Sequence, residues 1–312
     1  MYDVLLLGLA EGGGCGSACD GCETACSPRT PVLACADALR SAGARVETVM
    51  AGSDAEIDAV AARFDGDPRP DGLTWPGSGS KLRLVVAAAA NGQVRAVLRR
   101  FVRRFAPPPS KRPADLAADR TVPDLPPIAI LPLDRSSTTD LAAQLGLPRT
   151  PAEVAAAVLG DRVRRLDLLR NDGGSVTVDG ALIGGADAQG RAVPWRGRVE
   201  IDDAVLTDGT DPVLTCAIGN AGGYASFDGL PLLADGDPAD GRVEVAVAVP
   251  VVVRKAFRPA RVRVEVRRAR GRAVAVLPRD GDLPYLDDGV SGTLNRKLSW
   301  WIEPGAWAVY AR

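Results

Sequence analysis

Histidine is absent from the 312 residues of the chain. This absence excludes Ser-His-Asp and Cys-His catalysis and every metal site that needs a histidine ligand. General acid or base chemistry must therefore use Asp, Glu, Cys, Lys or Tyr side chains. Lysine is also scarce, with only four residues among the 38 basic ones. No G-x-x-x-x-G-K-[ST] sequence occurs, which argues against a lysine-dependent P-loop.

Aromatic residues make up only 4% of the chain and hydrophobic residues 46%, so the cores must be built mainly from Ala, Val and Leu. The net charge of −1 creates no overall field toward nucleic acid, and we expect no nucleic-acid partner. The sequence has no apolar run of about 18 residues, so we predict no membrane-spanning helix. The start, MYDVLLLGLAEGGG, lacks the basic region of a signal peptide, and we expect a cytoplasmic protein with reduced thiols.

Strand and helix patterns alternate along roughly the first half of the chain. Ser53 and Glu56 form a capping-box pattern, and Thr150 with Glu153 forms another. Alternation of this kind predicts a parallel sheet flanked by helices, and we assign residues 1–155 to such an α/β domain. The short apolar runs typical of its buried strands lie at 4–9, 45–50, 82–88 and 128–133.

The pattern changes to a period of two residues in the second half. These segments are separated by clusters of Gly, Asp and Asn, which is typical of an antiparallel β-sandwich. We therefore predict a second, all-β domain over 156–302. The alternating segments lie at 163–169, 175–182, 198–206, 213–218, 242–253, 261–267 and 272–277.

Four cysteines lie within twelve residues, in the sequence CGSACDGCETAC. Thiolates at this C-x3-C-x2-C-x3-C spacing could converge on one Zn²⁺ ion or on an iron–sulfur cluster. Redox dithiol chemistry and an incidental cluster in a loop are the alternatives. The candidate ligands are Cys15, Cys19, Cys22 and Cys26, whereas Cys35 and Cys216 fit core positions on a helix and a strand.

The segment 93–105 predicts an amphipathic helix with apolar residues on one side and arginines on the other. A basic amphipathic helix can contact anionic lipid at a membrane surface. The alternative, which we favour, is that the apolar side packs on the sheet while the arginines face water.

Five short motifs, taken in order, resemble those of the diacylglycerol kinase catalytic family. LVVAAAANGQVRAVL is similar to the strand, Gly-Gly-Asp-Gly-Thr turn and helix of that family, and ILPLDRSSTTDLAAQLGLP to its next block, with Asp140 matching the last Asp of the turn. VRRLDLLR, with Asp167 in register, resembles the strand that leads into the second domain. The passage NAGGYASFDGLPLLADGDPADGRVEVAVAV and the tail IEPGAWAVYA resemble the last two motifs.

The resemblance implies ATP- and Mg²⁺-dependent phosphorylation of a lipid hydroxyl, with nucleotide and lipid as partners and contact with a membrane surface. It also implies that a strand at about 303–312 returns to the first domain. The nucleotide would lie near Ala89, Ala90, Asn91, Gly92, Gln93 and Asp140. The general base of the family lies in an Asp-Gly-Glu sequence, and the matching candidates here are Asp282 and Asp288, unless both Asp-Gly pairs simply form hairpin turns. A homodimer remains an open alternative.

The chain departs from the family pattern at the phosphate-binding turn. Ala89 and Ala90 replace glycines, and we expect their side chains to disfavour left-handed backbone conformations. Asn91 lacks the charge of the Asp it replaces, which could help to hold Mg²⁺, and Gln93 replaces a Thr hydroxyl. Two hypotheses therefore stand at the sequence level: an active lipid kinase, and a non-catalytic binding or regulatory protein whose cysteines sense metal or redox state.

Overall fold

The computed structural model describes residues 2–10, 30–77, 79, 81–220, 224–234, 236–253 and 261–311. The chain divides into two compact units, one formed by Met1–Leu166 with Gly305–Arg312 and the other by Asp167–Pro304. The division falls after Leu166 and not after residue 155, because residue 155 lies inside a helix whose buried side chains belong to the core of the first unit.

The first unit alternates strands and helices. Its elements in chain order are β1 (Asp3–Leu9), α1 (Thr30–Ser41), β2 (Arg45–Ala51), α2 (Asp54–Ala62), β3 (Leu82–Ala88), α3 (Asn91–Phe105), β4 (Ile128–Pro132), α4 (Leu141–Gln144) and α5 (Pro151–Leu159). The unit also contains the beginning of β5 (Val163–Asn171) and the end of the last strand, β20 (Leu298–Tyr310).

Four strand pairs of this unit are parallel. β1 pairs with β2 on one side and with β3 on the other, and β3 pairs with β4. The end of β20 continues the sheet beyond β4, where Val309 lies opposite Ile128. In β1, Val4 and Leu6 pack in one core cluster with residues of α1 and α5, while Leu5 and Leu7 are equally buried on the opposite face. Burial on both faces explains why these strands are continuous apolar runs in the sequence.

The helix starts follow the predicted capping chemistry. Thr150 and Glu153 form a complete capping box at the start of α5, with Pro151 in its first turn. At α2, the Ser53 hydroxyl accepts a hydrogen bond from the Glu56 amide, and the Glu56 carboxylate accepts one from the Gly52 amide at 2.6 Å. These local bonds satisfy amide groups that the first turn of a helix leaves without a partner.

A buried arginine, Arg83, joins the beginning of β3 to the end of α5. Its guanidinium donates to the carbonyl oxygens of Val158 and Gly160. It also lies 3.5 Å from the centroid of the Tyr2 ring and 5.3 Å from that of Tyr310 on β20. Arginine suits this position because its planar group offers several donors and stacks on aromatic faces.

The second unit is all β. After β5 it contains β6 (Val176–Thr177), β7 (Gly180–Ile183), β8 (Gly185–Ala186), β9 (Ala192–Val193), β10 (Gly197–Ile201), β11 (Ala204–Asp208), β12 (Thr215–Gly219), β13 (Ser226–Phe227), β14 (Leu230–Pro231), β15 (Val243–Val253), β16 (Arg261–Gly271), β17 (Ala273–Pro278), β18 (Leu283–Asp287) and β19 (Val290–Leu294).

Two antiparallel sheets enclose the core of this unit. Within this unit, the strands of one sheet follow the order β11-β10-β17-β20, with β5 pairing with β20 and with β6. The other sheet has the order β16-β15-β12-β7-β18-β19. Alternate residues of β15, from Val243 to Val249, share one buried cluster with Val199 and Ile201 of β10 and with Trp300 of β20. The period of two that was read from the sequence thus directs one face of each sheet into the core.

The fold class predicted from the sequence is confirmed: a parallel α/β unit accompanies an antiparallel β-sandwich. Cys35 and Cys216 are buried in the two cores, as predicted, and burial raises the pKa of both thiols to about 12.

Within the described residues, no helix is both long enough and apolar enough to cross a bilayer.

The returning strand provides the first test. Trp307 is 1% exposed and belongs to the first unit. We expect Trp307→Ala to lower the free energy of unfolding by about 3–5 kcal/mol, because it leaves a large cavity in a packed core. Urea denaturation measures this loss. Trp75→Ala is the matched control, since Trp75 is only partly buried; an equal loss in both variants would contradict the packing described for the last strand.

Candidate nucleotide cleft

A cleft lies where β3 and β4 end at the carboxyl edge of the parallel sheet. It is open to solvent, which is included in the approximately 260 Å³ of space between its walls. Open α/β sheets bind ligands at this edge. The cleft brings together Ala89, Ala90, Asn91 and Asp140 from the residues predicted by resemblance, and adds Ala88, Val94, Ile130, Pro132, Asp134, Leu141 and Ala142.

The two alanines of the β3–α3 turn are not strained. Ala90 is the N-cap of α3 and has an extended backbone, with φ −150° and ψ 157°. Among the described residues other than glycine, positive φ values occur only at Asp202, Asp228 and Asp288. The turn at positions 89 and 90 is therefore built without the left-handed conformations that alanine disfavours. The methyl groups are instead exposed at the cleft.

The side chain of Gln93 forms a hydrogen bond with a backbone amide of this turn. Its Oε1 accepts a hydrogen bond from the Ala89 amide at 2.6 Å, and its Nε2 donates to the carbonyl oxygen of Leu9 at 3.4 Å. Backbone amides at a strand–helix turn are the groups that bind phosphate oxygens in nucleotide sites. Here one of these donors is used inside the protein.

Asn91 and Gly92 form the first turn of α3. The Oδ1 of Asn91 accepts a hydrogen bond from the Leu141 amide at 2.9 Å, so its side chain links the β3–α3 turn to the start of α4. Gly92 is partly buried, and Ala90 before it has no polar side chain that could cap the helix. The positive end of the α3 dipole therefore lies beside the cleft.

Asp140 serves as the N-cap of α4. One carboxylate oxygen accepts from the Ala143 amide at 2.8 Å, and the other forms an ion pair with Arg149. Arg149 also donates to the carbonyl oxygen of Ser137 at 2.6 Å. The charge of Asp140 is therefore compensated inside the protein. The motif comparison identified Asp140 but not its partner, which lies nine residues further along the chain.

Asp134 is a cleft residue that the sequence interpretation missed. It is exposed, and its Oδ1 accepts hydrogen bonds from the Ser136 hydroxyl at 2.6 Å and from the Ser136 amide at 2.9 Å. These bonds hold the pKa of Asp134 below its usual value. The Asp-x-Ser spacing is typical of an Asx turn and could have identified this residue.

The cleft does not fit a carboxylate-bound Mg²⁺ ion. Hard cations prefer several oxygen ligands, usually including carboxylates. Asn91 carries no charge, and Asp140 is paired with Arg149. Of the described residues, Asp134, whose Oδ1 accepts from Ser136, is the single remaining carboxylate that lines the cleft. In the part of the chain that the structure describes, no group of three or more His, Cys, Asp or Glu side chains is placed to bind a metal.

The two predicted base candidates lie in the second unit. Asp288 and Gly289 join β18 to β19 with φ values of 50° and 80°, which fits a two-residue hairpin turn. Asp288 is only 4% exposed. Its carboxylate accepts hydrogen bonds from the amides of Val178, Asp179 and Gly180 at 2.8–3.1 Å.

These contacts assign a structural role to Asp288. Burial raises its pKa well above the usual range, and the neighbouring Asp287 raises it further. Asp282, the other candidate, is exposed just before β18. Of the two Asp-Gly pairs, Asp288-Gly289 forms a hairpin turn. Asp280-Gly281 connects β17 to β18, which lie in different sheets, so it does not form one.

Asp167 is also committed to backbone contacts. It is buried, and its Oδ2 accepts a hydrogen bond from the Gly241 amide at 2.6 Å. Its carbonyl oxygen accepts one from the Asn220 side chain at 2.9 Å. The residue therefore joins three separate segments of the second unit.

The arginines of α3 support packing of this helix against its neighbours over membrane contact. Arg99 and Arg100 pair with Asp54 of α2 at 2.8 and 3.0 Å. Arg104 pairs with Asp65. The apolar side of α3 is buried, with Val94, Val97, Leu98, Phe101 and Phe105 all in the core.

The segment with Cys15, Cys19, Cys22 and Cys26 lies outside the described residues.

The structural role of Asp288 gives the second prediction. We expect Asp288→Ala to lower the free energy of unfolding by at least about 3 kcal/mol, because three buried amides lose their acceptor at about 1–3 kcal/mol each. Thermal and urea denaturation measure the change. The matched control Asp282→Ala should shift stability by less than about 0.5 kcal/mol, as exposed substitutions do. Equal stability of the two variants would refute the structural assignment.

No family model matches the chain, and the comparison with curated proteins gives no match. Solved structures do match. A putative diacylglycerol kinase from Bacillus anthracis str. Sterne aligns with a TM-score of 0.61 and 13% identity, over 100% of this chain and 97% of that chain. A second diacylglycerol kinase structure from that organism gives 0.59 and 12%, with the same coverage.

A more distant match is an NAD kinase from Archaeoglobus fulgidus in complex with ATP. Its TM-score is 0.51 at 12% identity, over 99% of this chain and 93% of that chain. Likeness at such low identity shows the fold alone. The resemblance that the motif order predicts is confirmed at this level: the chain has the fold of the diacylglycerol kinase and NAD kinase structures.

Proposed function

We propose that the protein binds nucleotide weakly at the cleft of the first unit and has lost phosphoryl transfer, so that it acts as a non-catalytic relative of lipid kinases. The observation that carries this proposal is the use of the cleft's polar groups inside the protein. Gln93 binds the Ala89 amide, Asn91 binds the Leu141 amide, and Asp140 binds Arg149.

Three features support nucleotide binding. The cleft lies at the carboxyl ends of β3 and β4, where open α/β sheets bind ligands. The positive end of the α3 dipole lies at the cleft, because Asn91 at the start of α3 lines it. A structure of the same fold, the NAD kinase, binds ATP.

Phosphoryl transfer needs more than this. It requires metal ions that neutralise the charge developing on the phosphate and a group that positions the attacking hydroxyl. The cleft residues do not fit a carboxylate-bound cation, and the Asp288 carboxylate is occupied by three backbone amides. These contacts favour the non-catalytic hypothesis over the active kinase.

The third prediction concerns ATP. We expect calorimetry with MgATP to give a Kd weaker than about 1 mM for the native protein. A variant with Ala89→Gly, Ala90→Gly, Asn91→Asp and Gln93→Thr should bind about tenfold more tightly, since it removes two methyl groups and frees the Ala89 amide. Asp at position 91 still offers an oxygen to the Leu141 amide, so the link to α4 should persist.

Gln144→Thr is the control, because Gln144 lies on α4 and does not line the cleft. Micromolar binding by the native protein would overturn the weak-binding proposal. Transfer of the γ-phosphoryl group from ATP to diacylglycerol at about 1 s⁻¹ or faster, the range of working kinases, would restore the active-kinase hypothesis.

A second proposal rests on the sequence of the cysteine segment. We propose that Cys15, Cys19, Cys22 and Cys26 bind one metal centre, with Zn²⁺ favoured over an iron–sulfur cluster. Residues 11–27 contain almost no apolar side chains and several glycines, so thiolate ligation would offset the entropy of ordering them. Asp20 and Glu23 add negative charge that suits a cation.

The fourth prediction tests this centre. Elemental analysis of protein purified with and without oxygen should find about one equivalent of zinc, or iron with sulfide, per chain. Cys19→Ser with Cys22→Ser should lose the metal and become more sensitive to protease, whereas Ser17→Ala with Ser27→Ala, in the same segment, should not. Less than about half an equivalent in both preparations, with unchanged protease sensitivity, would leave only redox or incidental roles.

A further inference from the structure

The longest strand pair of the second unit ends in an exposed apolar tip. β15 and β16 pair over eleven positions, from Val243 opposite Gly271 to Val253 opposite Arg261. Near the inner end, Ala246 and Ala248 belong to a buried cluster. At the outer end Val252 lies opposite Val262, and these side chains are 57% and 68% exposed, the highest values among the described large hydrophobic residues.

Two arginines lie at this outer end. Arg261 and Arg263 are exposed and alternate with Val262 along β16. The described residues between Glu244 and Glu265 include no acidic side chain. Although the whole chain has a net charge of −1, this described end of the ribbon is positive.

The inner arginines of the same strand have a different environment. Arg267 pairs with Glu265 at 3.1 Å and approaches Asp211 at 3.7 Å, and Arg270 pairs with Asp240. Among the residues that the structure describes, no acidic side chain pairs with Arg261 or Arg263. The fold therefore compensates the inner charges and leaves the outer ones facing solvent.

We propose that the outer end of the β15–β16 ribbon binds the surface of an anionic lipid bilayer. Exposed valines can insert among acyl chains. The arginines, which alternate with Val262 and so lie on the opposite face of β16, can bind lipid phosphates at the same end of the ribbon. The combination of charge with exposed apolar side chains favours lipid over nucleic acid, which would leave Val252 and Val262 in water. A second copy of the same end is disfavoured because it would bring like charges together.

The surface differs from the α3 surface considered from the sequence. On α3, Arg99, Arg100 and Arg104 are paired with acids, and the apolar face is buried. The ribbon end differs from α3 because its valines are open to solvent, whereas the apolar face of α3 is buried. Binding there needs no nucleotide and so does not depend on the proposed function of the cleft.

The full chain should co-sediment with vesicles of phosphatidylcholine mixed with phosphatidylglycerol and not with phosphatidylcholine alone. Arg261→Gln with Arg263→Gln should weaken binding by about 30-fold, since each basic residue near an anionic surface contributes about fivefold. Val252→Thr with Val262→Thr keeps the side-chain shape and strand propensity, and should weaken binding while leaving the thermal unfolding temperature unchanged. Added salt should reduce binding of the native protein.

The matched control is Arg267→Gln with Arg270→Gln, which removes the same charge from the same strand at its paired end and should retain most of the binding. Equal binding to both kinds of vesicle, no binding to either, or equal losses in the two arginine variants would overturn the proposal. Binding to single-stranded nucleic acid that the outer arginine variant abolishes, with no binding to vesicles, would replace lipid by nucleic acid. Concentration-dependent dimerisation lost in the valine variant would replace it by a second copy.

Discussion

The need of backbone amides for acceptors governs much of this structure. A buried amide without a partner costs about as much as several favourable contacts contribute. Five polar side chains that a motif comparison would place near catalysis meet this need instead: Asp288 accepts from three amides, and Gln93, Asn91, Asp140 and Asp167 accept from one each. In a kinase, residues of these types would contact substrate or nucleotide. Here they bind backbone amides of the same chain.

The turn after β3 shows how one substitution makes another tolerable. Glycines let a turn bring its amides to a phosphate. Here the backbone of Ala90 is extended, and the amide of Ala89 donates to the side chain of Gln93. Since Gln93 supplies that acceptor from one turn into α3, the turn no longer depends on a bound anion for its stability. The substitutions therefore form one coherent local structure, which the sequence shows only as separate departures from a pattern.

Helix caps and hydrophobic periodicity predicted the helices and strands well, because these features depend on residues that are close together in the sequence. The capping boxes at α2 and α5, the buried runs of β1 and β3, and the alternation of β15 all depend on near neighbours. The side-chain contacts that decide the candidate site join distant segments. Asn91 reaches Leu141, and Asp288 reaches Val178 across 110 residues. No periodicity encodes such pairs, so the sequence identified Asp288 but not its role, and it did not reveal the extended backbone at Ala90.

Arginine is the most frequent side-chain donor to backbone carbonyl oxygens among the described residues of this chain, which has four lysines and no histidine. Arg83 binds the carbonyls at the end of α5, Arg149 binds that of Ser137, and Arg268 binds that of Leu232. A guanidinium stays charged when half-buried and offers several donors, so it suits this use better than an ammonium group. Most described arginines are in this way bound to carbonyls or carboxylates. Arg261 and Arg263 have no acidic partner among the described residues, and exposed valines lie at the same end of the ribbon. The motif residues of this protein bind its own backbone. Exposed charged and apolar side chains such as those at the ribbon end are therefore a better guide to its binding partners.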